Sequence, residues 1–291
     1  MTYINCFWHG KPLGDLERIC LLSMLRQNYR IRLFCYDTVS NVPAGIDICD
    51  ARQIMPRQQL LIHRATGSAS LGSNKFRYLL MKMGLGIWLD TDVLLLKPLP
   101  QADDYIFGQQ DKDLVCTAVL YIPQNSSIID QIHDFVSQEY PIPPFYDEAT
   151  RFDLEQKSRS GHPVHVRDLP WGVYGPHALT HFVRKNGLLH LSKPKEVFYP
   201  IHFTDAHFLL SSKDKVSELI TTATVAVHLW NKVLLQSPEN PNGQLIIEKG
   251  SFLEKFAREQ LDYRLAKSVH YGAAFIIRRI LRIWQKIQVR P

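Results

Sequence analysis

Two carboxylates stand two residues apart in Trp88-Leu89-Asp90-Thr91-Asp92-Val93. The short apolar run Ile87 to Leu89 reads as a buried strand that terminates at Asp90, and the i, i+2 spacing lets both acids face one side of the chain. In an open α/β sheet that side is the crevice at the carboxyl edge, where ligands of such folds bind. Two hard oxygen ligands there suit Mg²⁺ or Mn²⁺ bridging a diphosphate, and a cation so placed neutralises the charge that develops as the diphosphate leaves. A D-x-D triplet alone is also what a solvated turn after a strand contains, so the surrounding elements must decide.

Those elements alternate. Ile4 to Trp8 is a short apolar run, and Gly10, Pro12 and Gly14 punctuate a turn after it. Leu16, Ile19, Cys20, Met24 and Gln27 then follow one face of a helix over Asp15 to Asn28, and Ile31 to Tyr36 is a second strand. Strand, helix, strand predicts an α/β class with a parallel or mixed sheet. Pro43 and Gly45 close a loop, and Ala51 to Met55 suggests a helical turn. A helix over Gly72 to Met83 has Phe76, Leu79, Leu80 and Met83 at helical spacing, Ser73 to cap it, and Gly84 and Gly86 to end it. Further on, the pattern predicts a strand at Val115 to Ile122, a helix at Ser127 to Gln138, and a break at Pro141, Pro143 and Pro144. Residues 145–170 are polar and weakly patterned, which reads as a functional flap or an acceptor loop.

The chain has 291 residues and 45% apolar composition, enough for one large domain with a substantial core. Its apolar runs are far shorter than the roughly 20 residues a membrane span needs. Met1 to Trp8 enters a strand pattern without a basic region or cleavage site, so the expected location is cytoplasmic. Five cysteines without a C-x-x-C pair sit in apolar runs, where free thiols pack as small hydrophobes and neither disulfides nor zinc are expected. The net charge of +6 is unevenly placed: all 28 acids and 27 of the 34 bases lie at or before Asp262, and the other seven bases fall in the last 28 residues. The body is near neutral and shows no basic stripe, which argues against nucleic acid. In the tail, Ile277, Ile280, Leu281, Trp284 and Ile287 alternate with Arg278, Arg279, Arg282 and Lys286 as a basic amphipathic helix. Such a helix suits an anionic membrane surface, here residues 264–290, or else packs on its own domain. The expected domains are therefore 1–262 and a tail at 263–291.

Five motifs in order carry a family resemblance. They are Phe7-Trp8-His9-Gly10; Leu22-Ser23-Met24-Leu25 running to Leu33-Phe34-Cys35-Tyr36-Asp37; Ser73-Asn74-x-x-Arg77-Tyr78 leading into Gly84-x-Gly86-Ile87-Trp88-Leu89-Asp90-Thr91-Asp92-Val93; Tyr174-Gly175-Pro176-His177-Ala178-Leu179-Thr180; and Val227-His228-Leu229-Trp230-Asn231. Together they resemble the D-x-D glycosyltransferases that include α-1,4-galactosyl- and N-acetylglucosaminyltransferases, capsular polysaccharide synthesis proteins and the large clostridial glucosylating toxins. The resemblance implies a GT-A (nucleotide-diphospho-sugar transferase) fold: a mixed, mostly parallel sheet flanked by helices, with 1–100 as the nucleotide-sugar half and 101–262 as the acceptor-side half. It also implies a retaining transfer of a hexose or N-acetylhexosamine from a UDP-sugar, usually with Mn²⁺, to a glycan or lipid-linked glycan such as a capsule or lipopolysaccharide precursor.

Residue by residue, the resemblance places Trp8 against the donor uracil and makes Asp90, Asp92 and Arg77 the catalytic group. Asp90, Asp92 and His228 become the metal ligands. Asn74, Arg77, Tyr78, Asp90, Gly175, Pro176, Trp230, Asn231 and Lys232 are donor-binding with Trp8. Asn74 and Arg77 lie three apart on one helix face, and the guanidinium fork suits hydroxyl or phosphate oxygens. The Trp230 indole N–H and the Lys232 ammonium can both serve the β-phosphate. The family usually has Asp where this chain has Asn74, which keeps one acceptor and loses the charge, a difference that bears on donor identity. No nucleophile for a covalent intermediate stands out, which leaves front-face attack by the acceptor hydroxyl on an oxocarbenium-like centre.

Two rivals share the acidic pair. A haloacid-dehalogenase-like phosphatase would use Asp90 as a phosphorylated nucleophile and Asp92 as acid/base, but its loop ends the first strand of its domain, and here two strands come earlier. A non-catalytic membrane-associated protein of the same fold would keep the scaffold without metal-dependent affinity for UDP. No G-x-G-x-x-G follows the first strand, so a dinucleotide-dependent dehydrogenase is poorly supported.

Overall fold

The computed structural model describes residues 3–10, 12–100, 104–213, 215–236, 245–265, 268–269 and 274. The basic tail falls almost wholly outside them. β1 (Tyr3–Trp8), α1 (Asp15–Arg26) and β2 (Arg30–Cys35) match the strand, helix, strand reading. They are followed by β3 (Ile46–Asp50), α2 (Ser70–Lys82), β4 (Ile87–Leu89) and β5 (Val93–Leu95). Next come the hairpin β6 (Ile106–Asp111) and β7 (Leu114–Tyr121), then α3 (Ser127–Val136), α4 (Glu148–Arg159), α5 (Pro176–Lys185) and α6 (Lys195–Phe198). The remaining elements are β8 (Ala226–His228), α7 (Asn231–Gln236), β9 (Ile247–Glu248), α8 (Phe252–Leu261) and β10 (Ser268–Val269).

Six strands form one sheet in the order β3-β2-β1-β4-β7-β6. β3, β2, β1 and β4 run parallel, and β7 and β6 complete the sheet antiparallel. This is the mixed, mostly parallel sheet expected, and β4 with its acidic terminus lies inside it between β1 and β7. Period-two alternation divides the core: Ile4, Cys6, Ile31, Leu33, Ile87 and Leu89 face one apolar cluster with α1 and α8. Phe7, Phe34 and Trp88 face the other, with α2, α3 and α5. Among the described residues no helix is long and apolar enough to cross a membrane.

Two expectations are corrected. α2 begins at Ser70 rather than Gly72, so Ser73 is inside the helix and does not cap it; the Ser68 hydroxyl instead accepts the Ser70 N–H at 3.2 Å. The early start also needs Gly72, where a Cβ would lie 2.8 Å from the Leu61 amide nitrogen and 2.9 Å from its carbonyl oxygen. The polar segment 145–170 contains α4, capped by Asp147, whose carboxylate accepts the Thr150 N–H at 2.9 Å. Only Leu154 of this helix is buried, so it has no apolar stripe for periodicity to detect.

Candidate active site

Three elements bring the acidic pair and the histidine together. β4 ends at Leu89, and the Asp90 N–H donates to the Ala118 carbonyl of β7 at 2.8 Å, so the turn starts on the sheet. The chain then enters β5, which pairs antiparallel with β8 and sets Val93 opposite His228. One carboxylate oxygen from each aspartate and one His228 ring nitrogen lie within 4.8 Å of one another. The Asp90 and Asp92 side chains keep 25% and 19% of their surface exposed, enough to meet a ligand from the cleft. Two carboxylate oxygens and an imidazole nitrogen are a donor set that suits Mn²⁺, so the residues present fit the expected metal.

Each carboxylate is tied to a different part of the scaffold. Asp90 Oδ1 accepts the Trp88 indole N–H at 2.7 Å and pairs with the Arg77 guanidinium at 2.9 Å. Asp92 Oδ1 lies 3.3 Å from His228 Nε2, while its Oδ2 accepts the Asn231 N–H at 3.1 Å. Burial raises the pKa of Asp90, opposed by Arg77 and reinforced by the neighbouring Asp92 charge. Burial also works against ionisation of Asp92, but the His228 charge and hydrogen bond outweigh it and hold that carboxyl below its ordinary value. His228 is the counterpart: desolvation disfavours its charge, yet Asp92 pushes its pKa up to about 10. The three groups therefore form a half-buried cluster in which the proton is favoured on His228.

A cleft of about 440 Å³ opens on this cluster, lined by Trp8, Glu17, Ser70, Ser73, Arg77, Asp90, Asp92, Asn231 and Lys232 among others. Trp8 is half-buried, and its indole N–H is buried without a partner among the described residues. Lys232 is exposed at the cleft rim. Of the residues expected at the site, Trp8, Arg77, Asp90, Asp92, Asn231 and Lys232 thus share one cleft, with His228 in its metal cluster.

Six are placed elsewhere or are already engaged. Tyr78 is fully buried in the α2-side core, where burial raises its pKa, and it does not line the cleft. The Trp230 indole N–H, expected to serve a phosphate, donates to the Ile201 carbonyl at 2.9 Å, and its ring packs 3.9 Å from His228. That bond commits the donor to the fold. Asn74 is 5% exposed and packs under Gly175, where a Cβ would meet its Nδ2 at 2.7 Å. Gly175 and Pro176 therefore start α5 against α2, with Pro176 at the first helical turn. Arg77 lines the cleft, but its guanidinium also donates to the Thr117 carbonyl and lies 4.8 Å over the Trp88 ring. It is 3% exposed and acts first as the counter-charge to Asp90.

Glu17, Ser70 and Ser73 line the cleft and were not among the expected site residues. The signal for Glu17 was present but pointed elsewhere: an acid at the third position of a helix after a glycine reads as a cap. A separate cavity of about 540 Å³ lies beside Phe145, His177, His181 and Lys185. Burial lowers the pKa of both histidines there, and the acidic pair is not part of it.

Comparison with known proteins bears on this arrangement. Residues 168–260 match the family described as alpha 1,4-glycosyltransferase conserved region. The matched segment includes Gly175, Pro176, His228, Trp230, Asn231 and Lys232. No curated protein matches. Among solved structures, one described as PaToxG Glycosyltransferase is similar at 14% identity, covering 65% of this chain and 73% of that chain with a TM-score of 0.42.

Proposed function

We propose that this chain, which carries a glycosyltransferase region, is a metal-dependent retaining enzyme that moves a hexose or N-acetylhexosamine from a UDP-sugar to a glycan or lipid-linked glycan. The observation that carries the reading is the convergence of Asp90, Asp92 and His228 within 4.8 Å, on a cleft that also contains Trp8. Mn²⁺ held there would act as a Lewis acid for the departing diphosphate. The chain's own groups supply the rest. Trp8 offers a ring for the uracil, and Lys232 adds charge at the rim for the phosphates. Arg77 opposes the burial that disfavours the charged form of Asp90. The Ser70 and Ser73 hydroxyls on the cleft wall are suited to sugar hydroxyls.

The phosphatase reading needs Asp90 free to attack phosphorus. Here Asp90 Oδ1 takes the Trp88 and Arg77 donors together, which lowers its nucleophilicity. In the proposed organisation, residues 1–100 hold the nucleotide sugar, 101–262 form the acceptor side, and the tail from 263 contacts anionic membrane from the cytoplasmic side.

The test is a panel of UDP-sugars with and without Mn²⁺, read as thermal stabilisation and donor hydrolysis. Ligand at a hundred times its Kd should add about 2.7 kcal/mol of apparent stability. Chelation of the metal, or the substitution Asp92→Ala, is expected to abolish the shift. A shift that survives both would remove the acidic pair from the mechanism.

A further inference from the structure

We infer that Glu17 is a positioning residue that holds Asp92 in place through Asn231; the inference rests on the cation-binding reading above. Glu17 sits in the first turn of α1, is 7% exposed, and forms part of the cleft wall. Its Oε2 accepts the Gly14 N–H at 2.9 Å, which closes the start of the helix. Its Oε1 accepts from Asn231 Nδ2, across 214 residues of sequence. A cap needs only the first of these bonds. The second ties α1 to the segment that follows β8.

That segment grips Asp92 at two atoms. The Leu229 N–H donates to the Asp92 carbonyl at 2.8 Å, and the Asn231 N–H donates to Asp92 Oδ2 at 3.1 Å. Between them Trp230 is left-handed, with φ of 58°, a conformation that disfavours a bulky side chain and persists only where its surroundings hold it. Among the described residues Glu17 is the sole hydrogen-bond partner of the Asn231 side chain, whose Oδ1 is buried without one. Glu17 thus anchors a strained turn whose backbone donor aims the metal-binding carboxylate. Groups that orient a metal ligand in this way typically change metal affinity by about 10- to 100-fold when removed.

The experiment is calorimetric titration of the full chain with UDP in the presence of MnCl₂, for the wild type, E17A, N231A, the E17A/N231A double variant and E17Q. E17A and N231A should each weaken binding by about 10- to 100-fold. The double variant should be no worse than the weaker single to within about threefold, because both changes cut one contact. E17Q should stay within about threefold of the wild type, since its amide can donate to Asn231 Oδ1 while its carbonyl still accepts the Gly14 N–H. N231A leaves the helix cap intact, so it and E17Q decide the matter even if E17A does not fold. Unchanged binding in N231A, or losses that add in the double variant, would overturn the inference. So would an E17Q as impaired as E17A, which would assign the effect to charge. Wild-type protein that shows no Mn²⁺-dependent UDP binding would instead bring down the cation-binding reading, and this inference with it.

Discussion

In the proposed metal site, His228 would have to give up a proton before it could serve as a ligand. Its pKa near 10 in the metal-free protein means a charged imidazole at neutral pH, whereas a ligand must be neutral. Mn²⁺ binding should therefore release about one proton at pH 7, and affinity should rise on the order of tenfold per pH unit below that pKa. Calorimetry of Mn²⁺ alone in buffers of different ionisation enthalpy measures this, and a buffer-independent heat would remove His228 from the ligand set. The stability linkage has the sign set by a raised pKa. The contribution of the charged His228 to the metal-free fold is complete below its unfolded value of about 6.5 and fades as pH rises toward 10. For Trp8 the prediction is simpler: Trp8→Ala should weaken UDP binding by about 10- to 100-fold, the range that loss of one base-stacking contact gives. Equal affinity in a titration would place the uracil elsewhere. The residues carrying these predictions were legible in the sequence because their types are specific: a D-x-D pair, a tryptophan ending a strand, a histidine in H-x-W-N. What could not be read was commitment. The Trp230 indole N–H and the burial of Tyr78 depend on contacts with Ile201 and the α2-side core that no local pattern encodes.

At the scale of elements, β1, α1, β2, α2, β4, β7 and α3 followed from periodicity and punctuation, with boundaries shifted by a few residues. β5 and β8 did not, because each has three residues and gains its identity only by pairing with the other across the chain. The same holds for α4, whose exposed surface leaves it without a hydrophobic period. The close packing of α2 on the 60–61 segment gives a test of element placement. Gly72→Ala would put a methyl group 2.5 Å from the Leu60 Cδ1 and under 3 Å from the Leu61 backbone. Overpacking of this kind costs about 1–3 kcal/mol, so denaturant melts should show a lowered midpoint. Because α2 also carries Arg77, UDP affinity should fall as well. A variant with wild-type stability would mean the helix start is looser than described.

Across the whole molecule, the two apolar clusters sandwich the sheet and leave its carboxyl edge as the place where the cleft opens. The first hundred residues supply Trp8, Glu17, Arg77, Asp90 and Asp92, while His228, Asn231 and Lys232 arrive from more than a hundred residues later. Neither portion holds a complete site. The near-neutral body and the seven bases beyond Asp262 set the prediction at this scale: deletion from residue 264 should release the protein from anionic liposomes without altering UDP affinity. Equal sedimentation of both forms would refute the membrane contact.

The turn from β4 to β5 passes from the main sheet to a separate two-stranded ribbon, and each aspartate takes its bearings from a different side of that seam. The spacing of the two carboxylates is consequently tied to how the two sheets are docked, and in the proposed metal site that docking would act as a calliper for ionic radius. Ions near the size of manganese should slip between the jaws, whereas a much larger one such as calcium would have to prise them apart.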